Sequence, residues 1–178
     1  MRAIRPRKRT SCLTAEATLE VLAAAVLTVS DSCARGERDD TSGPAVAELL
    51  TKHGFSIVAT EIVSDDLLSI EKALALLTEK ARLVVTTGGT GIAPRDVTPE
   101  ATRLVCDRFL DGVAERMRAA GSKKTPFAAL SRGVCGVRDK SLILNLPGSL
   151  KGAVDSLEAV VGILPHALQL LAGNTAHS

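Results

Sequence analysis

The 178-residue chain has no tryptophan, no tyrosine and only three phenylalanines. Platforms on which nucleic-acid bases could stack are therefore almost missing. Its formal charge of +2 is no better support for a polyanionic partner, because five of the 22 basic residues (Arg2, Arg5, Arg7, Lys8 and Arg9) precede the first acid, Glu16. Without those five the remainder is net acidic, near −3, so no nucleic-acid partner is expected. The four cysteines, Cys12, Cys33, Cys106 and Cys135, form no C-x-x-C pair, and His53, His166 and His177 do not cluster with them. This argues against a zinc site or a disulfide framework and for a reducing compartment, the cytoplasm. No apolar run reaches about 18 residues without a charge, so no membrane span is expected. Two nucleotide motifs are missing as well. There is no G-x-x-x-x-G-K-[ST], and Gly89-x-Gly91 is followed by Pro94 where a dinucleotide fingerprint needs a third glycine.

What is present points to one α/β domain. Hydrophobic residues make up 46% and charged residues 24%, a globular balance in a chain long enough for a sizeable core. Residues 1–23 read as a basic extension, either a disordered tail or an organelle transit peptide, the tail favoured because the segment is short and weakly amphipathic. Residues 24–173 form the domain and 174–178 a tail. Ala24–Ser30 and Arg82–Thr87 read as buried strands, and Phe55–Val63 as a strand in which Phe55, Ile57, Ala59 and Glu61 alternate against Ser56, Val58, Thr60 and Ile62. Helices follow them, with Val46, Leu49 and Leu50, then Ile70, Leu74 and Leu77, then Ala101, Leu104, Val105 and Phe109 at helical spacing. The last of these is expected to run from Thr98 to about Leu110. A polar loop spans Asp31–Asp40, Val134–Val137 and Leu142–Leu146 are two further short strands, and Ser149 caps a helix carrying Val154, Leu157 and Val161. The β-α-β-α order predicts a mostly parallel sheet covered on both faces.

Chemistry is concentrated between Leu83 and Glu100. A β-branched run ends in Thr86–Thr87–Gly88–Gly89–Thr90–Gly91, and Arg95 and Asp96 follow. Thr98 reads as a cap, Pro99 sits in a first helical turn and Glu100 lies near the positive dipole end. A strand, a loop of small residues and a helix N-terminus make a cradle for phosphate; a tight βα turn is the plainer alternative. Asp65 and Asp96 both follow strand ends, where ligands of open α/β sheets bind. Two carboxylates there could hold Mg²⁺, although on spacing alone Asp65 or Asp66 reads as a helix cap and Asp96 equally as a brace of its own loop. Lys151 lies in a first helical turn, where a cation opposes the dipole, which favours an anion-facing role. The cysteines read as small core residues.

Thr86–Ala101 closely resembles the signature of the molybdopterin-binding family, which includes the bacterial MogA and MoaB proteins and the G domains of gephyrin. Ser30–Asp31, Asp40–Pro44, Leu130–Arg132 and Leu144–Ser149 resemble its other segments, so the likeness spans roughly residues 24–173. The chain departs from the pattern at Ser64, where proline is common, and at Val113, where phenylalanine is common. The resemblance implies a Rossmann-like three-layer α/β/α sandwich, a homotrimer, and adenylylation of molybdopterin by ATP with Mg²⁺, releasing pyrophosphate. The product would pass to a downstream molybdate-insertion protein. It further implies that Asp65 and Asp96 handle the metal and the ATP phosphates. Thr86, Thr87, Gly88, Gly89, Thr90 and Gly91 would receive phosphate, Ser30 and Asp31 would border the nucleotide, and Asn145, Pro147, Gly148, Ser149 and Lys151 the pterin. A MoaB-like protein that binds molybdopterin with little or no transferase activity is the alternative. A gephyrin-like scaffold is disfavoured for a chain that reads as one domain.

Overall fold

The computed structural model describes residues 22–173. The expectations for the basic extension, Cys12 and the 174–178 tail lie outside the described residues, apart from residues 22 and 23 themselves. Strands β1 (Ala23–Val29), β2 (Ser56–Val63), β3 (Leu83–Thr87), β4 (Arg108–Phe109), β5 (Cys135–Arg138) and β6 (Ser141–Leu146) form one sheet in the order β2-β1-β3-β6-β5-β4. The first four of that order run parallel, and β5 and β4 are antiparallel additions at one edge. The helices are α1 (Asp31–Ala34), α2 (Ser42–Lys52), α3 (Leu67–Lys80), α4 (Thr98–Val105), α5 (Asp111–Ser122), α6 (Leu150–Val160) and α7 (Leu164–Leu171), with a 3₁₀ turn at Pro126–Leu130.

Period-two alternation along the central strands creates two cores, one on each face of the sheet. Ala24, Val26, Leu83, Val85, Leu142 and Leu144 meet Val46 and Leu50 of α2, Met117 of α5, and Ala153 and Leu157 of α6. The intervening Ala25, Leu27, Val84 and Ile143 meet Ile70, Leu74 and Leu77 of α3 and Ala101 and Val105 of α4. The three-layer sandwich is therefore present. β2 has one neighbour, and its side chains alternate between half-buried and exposed along its whole length.

Several local expectations are corrected. The helix begun at Thr98 ends at Val105, and Cys106 turns to extended backbone (φ −101°, ψ 142°). Phe109 then pairs with Gly136 in the sheet instead of packing on a helix face. Leu104 is 62% exposed and contributes nothing to the core. A Cβ on Gly136 would lie 2.4 Å from the Cys106 sulfur, so glycine there makes room for this crossing. The ten-residue polar loop after β1 contains the short helix α1. The stretch Leu150–Leu171 is long and apolar enough to cross a membrane by length and composition. Here it buries Ala153, Leu157, Val160, Leu164 and Leu168 in the core of the sandwich.

The strand order sets the position of any site. From β1 the chain steps outward to β2, then crosses back to β3 on the other side. The loops at the carboxyl ends of β1 and β3 therefore diverge to opposite faces, leaving a crevice between them.

Candidate active site at the sheet switch point

Three glycines at the end of β3 and β6 bring the backbone together above that crevice. Gly88 has φ +98°, and a Cβ on it would sit 2.2 Å from the Val29 carbonyl oxygen. Its N–H donates to the Leu146 carbonyl at 3.2 Å. Gly89 has φ +61°, with Thr98 Oγ1 2.3 Å and Asp65 Oδ1 3.4 Å from where its Cβ would be. Gly148 approaches from the other side, its missing Cβ 3.1 Å from Gly88 Cα. Gly89, Gly148 and Ser149 form a thin wall with a cavity on each side.

The first cavity, about 610 Å³, is floored by the glycine loop and Pro147 and walled by α5, the 3₁₀ turn and α6. Thr90, Gly91, Asp96, Asn145, Pro147 and Lys151 line it. Its ionisable side chains are Asp96, Arg118, Lys124, Lys151 and Asp155, a formal excess of one positive charge. The second, about 680 Å³, is lined by Ser30, Cys33, Arg38, Asp39, Asp40, Asp65, Thr87 and Gly88 among others. There, acids outnumber the one arginine, leaving a formal −2. Asp65 and Asp96 thus face different cavities across one wall. No cluster of three or more His, Cys, Asp or Glu side chains that could hold a metal forms among the described residues.

Each expected site residue has a definite place. Asp66, not Asp65, caps α3, accepting from Ser69 N at 2.9 Å. Asp65 instead accepts from Asp31 N at 2.8 Å through Oδ2, while its own N–H donates to Asp31 Oδ1 at 3.1 Å. Its Oδ1 turns toward Gly89. Arg95 donates to Asp31 Oδ2 at 2.5 Å. Partial burial raises the Asp31 pKa, but the Arg95 hydrogen bond and charge and the Asp65 N–H outweigh it, holding this carboxyl below the usual aspartate range. Asp31 and Arg95 line neither cavity and tie the β1 loop to the β3 loop instead. Asp96 braces its own loop, Oδ2 accepting from Ala93 N at 2.8 Å. Ser30 Oγ caps α1 through Cys33 N, and Ser149 caps α6 through Gly152 N at 3.2 Å.

The two strand-borne threonines and Asn145 hold their side-chain polar atoms in the sheet, although Asn145 lines the first cavity and Thr87 the second. Register puts Thr86 beside Asn145 and Thr87 beside Thr28. Thr86 and Thr87 are fully buried. The Thr87 hydroxyl shares a hydrogen bond with Ser42 Oγ at 3.0 Å. Asn145, 1% exposed, donates to Thr86 Oγ1 (3.1 Å) and Thr102 Oγ1 (2.9 Å) and accepts from Val134 N (3.3 Å). Their side-chain polar atoms serve the floor beneath the site. Thr98 is not a cap either: it is already helical, and its hydroxyl donates to the Gly88 carbonyl at 2.9 Å.

Two residues escaped the sequence reading. Arg132 donates from Nε to the Gly91 carbonyl at 2.6 Å, and its terminal nitrogens bond the Asp96 carbonyl and Glu100. It clamps the glycine loop at both ends. Asp40, read as the end of a loop and the start of a family-like segment, accepts from Thr28 Oγ1 at 2.6 Å and from Gly43 N at 3.0 Å, so it serves the first turn of α2, where Thr41 makes no side-chain cap. An arginine acting on carbonyls some 40 residues away leaves no local sequence signal. Asp40, three residues before Gly43, had the spacing of a cap. Burial raises the Cys135 thiol to about 12, with Cys106 nearby adding to the shift, and raises the Cys106 thiol to about 11, which fits core cysteines and not nucleophiles.

A mostly parallel sheet with two cavities meeting at a glycine wall over its switch point defines an α/β protein with room for two ligands side by side, and its glycine loop leading into a helix is of the kind that suits phosphate. Residues 25–166 match the family model described as a probable molybdopterin binding domain, and the chain belongs to that family. It is 44% identical over 153 residues to a molybdopterin adenylyltransferase of Helicobacter pylori (strain J99), covering 84% of this chain and 87% of that one. It is 38% identical over 172 residues to that of Escherichia coli (strain K12), covering 87% and 88%. Among solved structures, the molybdopterin biosynthesis enzyme MoaB of Thermus thermophilus superposes with a TM-score of 0.81 at 55% identity, covering 85% of this chain and 97% of that one.

Proposed function

We propose that this protein is a molybdopterin adenylyltransferase of molybdenum cofactor biosynthesis, joining molybdopterin phosphate to the adenylyl group of ATP. The observation that carries this reading is the pair of cavities of opposite charge separated only by Gly89, Gly148 and Ser149. The basic cavity suits the phosphate of molybdopterin. Lys151, in the first turn of α6, brings a cation to its wall, and the N–H groups of that turn add partial positive charge. The acidic cavity suits a nucleotide only if its phosphates arrive with cations, which agrees with a need for Mg²⁺. The acids of that cavity fit the ion: Asp40 is occupied by internal hydrogen bonds, but Asp39 and Asp65 Oδ1 are not, and Asp96 Oδ1 is open on the other side of the wall. Mg²⁺ commonly takes one or two carboxylates and completes its shell with phosphate oxygen and water. Bound there, it would neutralise phosphate charge as bonds change.

In the transfer, a terminal oxygen of the molybdopterin phosphate bonds to the α-phosphorus of ATP while the bond to the bridging oxygen of the β-phosphate breaks, and pyrophosphate leaves with that electron pair. A phosphate monoester is already largely ionised at pH 7, its second pKa being about 6, so no general base is required. What the chain supplies is position. Gly88 and Gly148 let two backbones approach as no side-chain-bearing residues could, so that a single layer of chain divides the two cavities and the phosphates come into direct contact over its edge. Arg132 holds the Gly91–Asp96 loop at fixed height. A homotrimer, a cytoplasmic setting consistent with the free Cys33, Cys106 and Cys135, and delivery to a molybdate-insertion protein belong to the same proposal.

The test is incubation of the purified protein with molybdopterin, ATP and Mg²⁺, following pyrophosphate and adenylylated molybdopterin. Both should appear, and Asp96→Asn should abolish them while sparing pterin binding. Pterin binding without pyrophosphate in the wild type would establish the binding-only alternative, and no pterin binding would refute both.

A further inference from the structure

The basic cavity has an outer half that the phosphate chemistry does not use. Its rim is the 3₁₀ turn Pro126–Leu130, where Phe127 is 75% exposed. Of the three aromatic rings in the chain, Phe55 is buried in the core and Phe109 lies under the Arg103 guanidinium at 4.9 Å. Phe127 is the one ring presented to solvent, and it borders this cavity. Opposite it, α6 carries Lys151 and, one turn further on, Asp155. A spacing of four residues puts the two on one helix face about 6 Å apart along the axis. Asp155 lines the same cavity, its Oδ1 fixed by Lys124 Nζ at 2.6 Å and its side chain only 19% exposed. Among the described residues, Asp155 Oδ2 and the Lys151 ammonium have no internal partner.

We infer that Phe127 and Asp155 read the pterin ring: Phe127 stacks on its face, and Asp155 accepts hydrogen bonds from its N3–H and 2-amino group. This inference rests on the proposed function and assigns the specificity of the same site. The chemistry is complementary. A 2-amino-4-oxo pterin presents two adjacent donors on one edge, and an ionised carboxylate is acceptor-only with two oxygens side by side. Lys124 fixes the carboxylate in one rotamer, so the edge is prepared before the ligand arrives. Helix α6 acts as a ruler, with the phosphate at Lys151 by the glycine wall and the ring one turn outward. Asp96 is the other acid in the cavity, but one of its oxygens is bound to Ala93 N beside the phosphate cradle.

The probes are molybdopterin itself, a 6-(phosphooxymethyl)pterin, and the matching lumazine, which carries oxygen in place of the 2-amino group. The wild type should bind the pterin probe at least about tenfold more tightly than the lumazine, since a charged acceptor facing the wrong group is left unpaired. D155N, which replaces one acceptor by a donor, should lose or invert that preference. F127A should weaken both probes by roughly fivefold to tenfold, F127L should recover only part, and F127W should restore binding, the signature of stacking. None of the four variants should alter ATP affinity or thermal stability. If the wild type binds molybdopterin and forms the adenylylated product while F127A and D155N keep wild-type affinity and preference, this inference is overturned and the proposed function stands. If the wild type binds neither molybdopterin nor the pterin probe, both fall.

Discussion

Asn145 offers a test of the floor beneath the site. Replacing it by leucine keeps the volume but removes three hydrogen bonds at a position 1% exposed to solvent. The Val134 N–H would lose an acceptor in a buried setting, and the Thr86 and Thr102 hydroxyl oxygens would each lose a donor. An unsatisfied buried polar group costs about 1–3 kcal/mol, and leucine recovers part of this by adding apolar burial, so the net loss should be about 2–4 kcal/mol. Against a typical total of about 5–15 kcal/mol that is a large fraction. Urea unfolding should show a lower midpoint with an unchanged slope. In a Thr86→Val background the same replacement should cost less, because one partner is already gone. A loss below about 1 kcal/mol would refute the claim that this amide is part of the frame. So would a folded, undiminished variant that had lost pterin affinity, since Asn145 would then be a ligand contact.

Gly88→Ala should be worse than any change of exposed loop residues. The position has φ +98° and the new Cβ would lie 2.2 Å from a backbone carbonyl of β1, so a loss above about 3 kcal/mol by chemical unfolding is expected; a variant within about 1 kcal/mol of wild type would refute the close approach. The Asp31 carboxyl sits below its ordinary range through Arg95, so its contribution is complete above the unfolded value near 3.9 and is lost as the pH falls through the lower folded value. Arg95→Met should therefore move the midpoint of acid unfolding to higher pH, read by circular dichroism between about pH 2 and 6, while an unmoved midpoint would show that the ion pair does not persist in solution.

Elements with a strong period were legible in the sequence. Ile70, Leu74 and Leu77 predicted a helix and form one, and the alternation from Phe55 to Ile62 predicted the half-exposed strand β2. The glycine-rich loop, the cap at Ser149 and the cation at Lys151 were also readable, because each depends on residues adjacent in sequence. What could not be read depends on contacts between distant segments. A two-residue strand such as Arg108–Phe109 has no period, and it exists because Gly136 admits Cys106 against β5. Thr98 has the sequence of a cap, yet the Gly88 carbonyl ten residues away takes its hydroxyl. That Thr86 and Thr87 lie in the sheet with Asn145 and Ser42 bonded to their hydroxyls follows from strand register, which the glycines beside them do not reveal.

That last distinction bears on how the site works. A flexible loop of hydroxyls could wrap a phosphate, but it would have to be ordered at each turnover. Here the strand-borne hydroxyls are spent on rigidity, Gly88 is tied at both its N–H and its carbonyl, and the N–H groups of Gly89 and Gly148 are left open toward the cavities. The loop beyond is fixed at one end by Thr98 on the Gly88 carbonyl and at the other by Arg132 on the Gly91 and Asp96 carbonyls. Asp65 is fixed in turn by its reciprocal bonds with Asp31. A reaction between two phosphates needs little from the protein in proton transfer and much in position and charge. Rigidity in the wall and opposite charge in the two cavities serve those two needs with separate sets of residues. Loosening the wall at Arg132 should then slow transfer while leaving the affinity of each cavity for its own ligand nearly intact.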